Sequence, residues 1–247
     1  MSKNYHILVD SKNAILELLK AEKSFEKIYV ATNAYKDPKT LEILKEAGKR
    51  GIPVIKVPRR SIDRKSRGGG TKSVLGLLIS DNAWDLDDLL THIYSQKQNP
   101  FFLILDHLKY SQNIGAIFRL AYASGVNGII LPVRQKSYID SEVTRISMGA
   151  SERVPIVEMG FFECIKKLKE NDMKVYALTN EGNIYYEENL KGPIAFVIPS
   201  EDEPISSKIL ERVDGSVSIP MREGISELNV SVSTGVICYE KLRQEVN

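Results

Sequence analysis

The chain has 247 residues, 43% of them hydrophobic, which allows one large core or two modest ones. Its 34 Lys and Arg stand against 32 Asp and Glu, and a net charge of +2 supplies no global field toward nucleic acid or membrane. No apolar run approaches the roughly 20 residues of a membrane span. Met1 to Asn4 opens without a signal-peptide apolar core, and Cys164 and Cys238 read as buried reduced thiols of a cytoplasmic protein.

Residues 12–23 place Ala14, Ile15, Leu18 and Leu19 at helical spacing, and the β-branched and aromatic run 26–32 follows as a strand. The next helix spans 37–51, with Pro38 near its start and Gly51 at its end, and leads into a strand at 52–58. Residues 59–72 carry six basic side chains and one acid around three glycines, which predicts a mobile cationic loop. A strand at 73–79 closes a small α/β unit, so domains of 1–82 and 83–247 are expected, joined through an acidic helix within 81–100.

From residue 101 the alternation is stricter. Continuous apolar runs begin at Phe101, Asn127, Val154, Lys174, Pro193 and Ser216, separated mostly by helical patterns. Strands buried on both faces argue for a parallel sheet with helices on each side, and ligands of such sheets lie beyond the C-terminal strand ends. Three loops therefore matter: those after Asp106, Ile198 and Pro220.

In the first, Asn113 reads as the cap of a helix carrying Gly115 and Arg119. An arginine among Ile117, Phe118 and Leu120 is either a surface residue covering apolar neighbours with its stem, or a guanidinium aimed at phosphate or developing negative charge. The second loop holds Glu201, Asp202 and Glu203, and the last two read as solvated acids near a helix start. His6, His92 and His107 share no metal spacing, so no metal site is expected. The glycine fingerprint of dinucleotide folds, the Walker loop and the nucleophile elbow are all missing from the sequence.

Taken in order, "NIGAIFR" at 113–119, Ser200-Glu201, and "IPM" at 219–221 followed by "LNVSVSTG" at 228–235 resemble the three signature motifs of the SpoU/TrmH family of RNA ribose 2′-O-methyltransferases, within the SPOUT superfamily. The similarity covers the whole chain and is strongest to the rRNA guanosine subgroup. "MGASERVPI" at 148–156 matches the segment between the first two motifs. The resemblance implies a trefoil-knotted parallel-sheet domain at 83–247, preceded at 1–82 by a small ribosomal-protein-like RNA-binding domain, and a homodimer. S-adenosylmethionine would be bound by Ile198, Pro199, Ser200, Ile219, Met221, Leu228 and Val230. Arg119, Asn113, Glu201 and Asn229 would form the catalytic group, and Arg59, Arg60, Arg64, Lys65, Arg67 and Lys72 would grip RNA phosphates.

Several residues depart from the family pattern. Pro199, Asp202 and Pro204 stand where the second motif carries glycines, and Pro199 removes an N–H donor. Glu223 occupies the glycine place of the third motif, with Gly224 one position later, and Glu227 replaces a serine. Two readings follow: a methyltransferase whose acidic loops hold the cofactor differently, and an RNA-binding homologue without cofactor, in which Glu227 pairs with Arg119.

Overall fold

The computed structural model describes residues 6–64, 72–79, 82–132, 139, 141–225 and 227–246. The chain divides into two compact units, one containing 82–135 and 144–247, the other 4–81 and 136–143.

The N-terminal unit has a four-stranded sheet in the order β1-β4-β2-β3, from β1 (His6–Val9), β2 (Phe25–Ala31), β3 (Val54–Val57) and β4 (Val74–Ile79). β4 runs antiparallel to both neighbours, while β2 and β3 are parallel. Helices α1 (Lys12–Lys20) and α2 (Pro38–Lys49) bury Ile15, Leu16, Leu19, Ile43 and Ala47. Ser11 and Asp37 cap them, Asp37 Oδ2 accepting from the Thr40 amide at 2.8 Å and its hydroxyl at 2.9 Å. β1 has no counterpart in the sequence expectation; four residues are too few to show a period.

Residues 59–63 are not loop, as expected, but the short helix α3 (Arg59–Asp63), held down by the fully buried Ile62. Lys65, Arg67 and the three glycines lie outside the described residues. Segment 136–143 groups with this unit, and Ile139 O accepts from Leu8 N at 3.2 Å.

The larger unit carries a six-stranded sheet in the order β10-β8-β9-β5-β6-β7, parallel throughout. Its strands are β5 (Phe101–Leu105), β6 (Gly128–Pro132), β7 (Ile156–Met159), β8 (Lys174–Ile184), β9 (Ile194–Ile198) and β10 (Gly215–Ser218). Every residue of β5, β6 and β9 is buried, as continuous apolar strands require. On one face, α4 (Leu86–Ser95) and α7 (Phe161–Glu170) pack Leu86, Leu89, Ile165 and Leu168 with Phe102, Ile104 and Val197. The alternate residues Phe101, Leu103 and Leu105 point the other way, where Lys241 lies 6.0 Å over the Phe101 ring.

That second face takes α5 (Ser111–Ser124) and α9 (Val230–Val246), which pack together; the short helices α6 (Ser141–Ile146) and α8 (Ser207–Leu210) complete the set. Gly182 permits a close approach, since a Cβ there would stand 2.7 Å from Ser216 O. Both cysteines are buried, and burial pushes each thiol up to about 12, so neither is a ready thiolate. No helix among the described residues is long and apolar enough to cross a membrane.

Candidate active site

Strand order fixes where the loops meet. From β5 the chain moves to β6 and β7 on one side, whereas β9 lies on β5's other flank and leads outward to β10. The C-terminal ends of β5 and β9 therefore flank a topological switch point, where α/β sheets open a crevice. They end level: Leu105 pairs with Ile198, and Asp106 N donates to Ile198 O at 2.8 Å.

Glu201, three residues past β9, reaches across this switch point. Its Oε2 accepts from Lys109 N at 3.0 Å, and its Oε1 from Tyr110 N at 3.3 Å and from Asn113 Nδ2 at 3.0 Å. This carboxylate holds the amide of Tyr110, which caps the following helix, and that of Lys109 just before it, donors that have no partner within the helix, and it sits at the favourable end of the helix dipole. Asn113 is not the cap expected of it. The helix begins at Ser111 with Tyr110 as its cap, and Asn113 is the third helical residue, its side chain turned to the site.

The relay continues. Asn229 Nδ2 donates to Asn113 Oδ1 at 3.0 Å, and Asn229 Oδ1 accepts from the Ser231 amide at 2.9 Å and its hydroxyl at 2.6 Å. With Ser233 N donating to Asn229 O at 3.0 Å, Asn229 caps α9. A carboxylate can only accept and a backbone N–H can only donate, so both carboxamide orientations are determined by the two ends of the chain. Two helix N-termini and the β9 loop are thus joined through side chains distant in sequence.

Around this relay the other singled-out residues are placed as follows. Ile198 is fully buried and Val230 nearly so; Pro199, Ser200, Ile219 and Met221 are half-buried, and Leu228 is exposed. Ser200 Oγ accepts from the Asp202 and Glu203 amides, each at 3.2 Å, so it shapes its own loop. Asp202 pairs with Lys109 at 3.0 Å, and this carboxylate raises the lysine above its ordinary range. Gly224 has φ +93°, a conformation that explains a glycine at that place. Arg119 is exposed and forms no ion pair among the described residues, so the Arg119–Glu227 contact of the cofactor-free reading is not made.

In the N-terminal unit Arg60 is exposed, Arg59 is half-buried with Nε lacking a partner among the described residues, and Lys72 stands 3.5 Å from Asp10. Arg64 N donates to Arg60 O at 3.2 Å, and Lys65 and Arg67 lie outside the described residues. Sequence reasoning missed the adjacent pair Asp106 and His107 at the end of β5, with His107 Nδ1 2.5 Å from Asp106 Oδ1. The signal available was the position itself, two ionisable residues where a parallel strand opens into its loop.

A parallel sheet with its site at the switch point, built from the loops after β5, β9 and β10, defines a class, and comparison with known proteins gives its family. Residues 100–239 match the SpoU rRNA Methylase family and residues 12–81 the RNA 2′-O ribose methyltransferase substrate binding family. The chain belongs to the SpoU rRNA methylase family. It is 31% identical over 242 residues to YacO, named as of the TrmH family, from Bacillus subtilis, covering 97% of this chain and 96% of that one. It is 30% identical over 217 residues to the 23S rRNA (guanosine-2′-O-)-methyltransferase RlmB of Haemophilus ducreyi, covering 85% and 87%. The crystal structure of an AdoMet-bound rRNA methyltransferase from Sinorhizobium meliloti has the same fold, with TM-score 0.64 and 20% identity over 96% of this chain and 87% of that one.

Proposed function

We propose that this protein is an S-adenosylmethionine-dependent RNA ribose 2′-O-methyltransferase acting on rRNA in the cytoplasm. The observation that carries the reading is the Glu201–Asn113–Asn229 relay, which locks together the residues of all three family motifs.

The β10–α9 loop suits the cofactor. Within 221–228 one main-chain bond forms among the described residues, Ile225 N to Arg222 O at 3.4 Å, which leaves amides and carbonyls for a polar ligand. Ile225 is 63% and Leu228 38% exposed, apolar surface able to cover a purine. The exposed Glu223 and Glu227 supply negative charge against a sulfonium and an ammonium. The bound cofactor supplies an electrophilic methyl group. Ile198, Pro199, Ser200, Ile219, Met221, Leu228 and Val230 line its place, Ile198 and Val230 by main chain.

Arg119 then stabilises the developing ribose alkoxide. Being permanently charged, it serves as an electrostatic partner and not as a base. Residues 1–82 bind the RNA, with Arg59, Arg60 and neighbouring basic residues on phosphates. We assign a trefoil knot to 83–247. Supporting it, Lys241 Nζ donates to Gly192 O at 3.0 Å, and Gln244 bonds Leu190 N at 2.9 Å and Glu188 O at 3.0 Å, fastening the end of α9 to the segment before β9. A homodimer fits the exposed Val232 and Tyr239, seven residues apart on one face of α9.

Transfer of labelled methyl from S-adenosylmethionine to unmodified rRNA, with tRNA in parallel, tests the reading. Incorporation at a ribose 2′-oxygen of rRNA is expected. No cofactor binding by calorimetry at millimolar concentration overturns it in favour of an RNA-binding protein without catalysis.

A further inference from the structure

Methylation of a ribose hydroxyl requires a group to take its proton, and most ionisable side chains at the strand ends are already engaged. Arg119 has no lone pair to offer at neutral pH. Glu201 already accepts three hydrogen bonds. Asp202 is paired with Lys109. Glu203, Glu223 and Glu227 are exposed to solvent on the loops after β9 and β10.

His107 differs from all of these. It lies between two anchored residues, Asp106, whose amide is bound to Ile198 O, and Leu108, which is 1% exposed. Its own side chain is 59% exposed, whereas that of Asp106 is 13% exposed. Its backbone has φ +59°, a left-handed conformation uncommon for residues other than glycine, though histidine, like asparagine, enters it more readily than most. Asp106 Oδ1 stands 2.5 Å from Nδ1. A proton on Nδ1 shared with that carboxylate leaves Nε2 with its lone pair directed away from the pair, as in other carboxylate-oriented histidines.

We propose that His107, oriented by Asp106, is the proton acceptor of methyl transfer. The inference rests on the methyltransferase reading above. The 2′ O–H bond breaks and its proton goes to Nε2 of His107. The ribose oxygen forms a bond to the methyl carbon as the carbon–sulfur bond of the sulfonium donor breaks, its electron pair remaining on sulfur as a thioether. The positive charge passes from sulfur to the imidazolium, which Asp106 stabilises and which then releases the proton to water.

Two readouts test this on the full chain. Long-range 1H–15N NMR of the histidine rings, with His107 assigned through His107→Asn, is expected to show neutral His107 protonated at Nδ1, and Asp106→Asn is expected to shift the tautomer. With an unmodified 23S rRNA transcript and labelled S-adenosylmethionine, His107→Asn, which suits the left-handed backbone, is expected to lower kcat by about 100-fold or more with KM unchanged. The ascending limb of the pH–rate profile is lost with it, and added imidazole restores part of the rate to His107→Gly. A proton on Nε2 of neutral His107, or an active wild type whose His107→Asn variant keeps its rate and pH profile, overturns the proposal alone. A wild type that transfers no methyl overturns the methyltransferase reading, and the proton acceptor with it.

Discussion

The carboxamide of Asn113 stands 3.0 Å from Oε1 of Glu201, although 88 residues separate them. This contact makes the loop after β9 part of the start of α5, because the same carboxylate also holds the amides of Lys109 and Tyr110. Replacing Asn113 by Asp puts two carboxylates at hydrogen-bond distance and removes the donor between them. Turnover on rRNA is expected to fall at least ~100-fold and thermal stability by about 1–3 kcal/mol. Kinetics and thermal melts of Asn113→Asp and Asn113→Ala check it; the alanine variant avoids the repulsion and is expected to melt higher than the aspartate one.

Arg119 behaves in the opposite way, being exposed and without an ion-pair partner among the described residues. Its removal leaves nothing buried unsatisfied, so Arg119→Ala is expected to change stability by less than about 0.5 kcal/mol. Loss of alkoxide stabilisation is expected to cost ~100-fold to ~1,000-fold in kcat. Equal melting temperatures with unequal turnover separate chemistry from folding, and full turnover in the variant refutes the role.

Arg60, exposed beside the half-buried Arg59, is expected to act on RNA through charge alone. Arg60→Glu weakens RNA binding for every sequence and shallows the plot of log affinity against log salt by roughly one contact or slightly more. Filter binding across a salt series checks this, and an unchanged slope removes Arg60 from the interface.

Asp37 reports on the N-terminal unit. The Thr40 amide, with Lys12 and the Thr40 hydroxyl adding to it, lowers its carboxyl to about 2, from an ordinary 3.8. Because the folded value lies below the unfolded one, its contribution is present in full above the unfolded value and is lost as pH falls from about 4 toward 2. NMR titration of the Asp37 side chain is expected to show the low midpoint, and Asp37→Ala is expected to be less stable than the wild type above about pH 4, the gap closing as pH falls toward 2.

The strands of the large unit were legible because a parallel strand buried on both faces needs an unbroken apolar run, and 101–105, 128–132 and 194–198 supply one. Helix α1 was legible from its apolar spacing, α2 from Pro38 and Gly51 at its ends, and α4 as an acidic helix between the two parts. Motif residues Asn113, Arg119, Glu201 and Asn229 could be named from local sequence through a family resemblance. Local pattern misread residues 59–63, where charge masked a single buried Ile62, and misjudged the role of Asn113, where a good capping residue stands two places inside the helix.

What the sequence by itself determined is therefore a two-part α/β chain with its chemistry at strand ends, since burial period and family motifs are both local. Tertiary structure decided which side chains share hydrogen bonds. The order β10-β8-β9-β5-β6-β7 brings the ends of β5 and β9 level, and only that juxtaposition lets Glu201, Asn113 and Asn229 form one relay. A hydrogen bond between residues 88 or 116 positions apart depends on strand order, which no window of sequence contains.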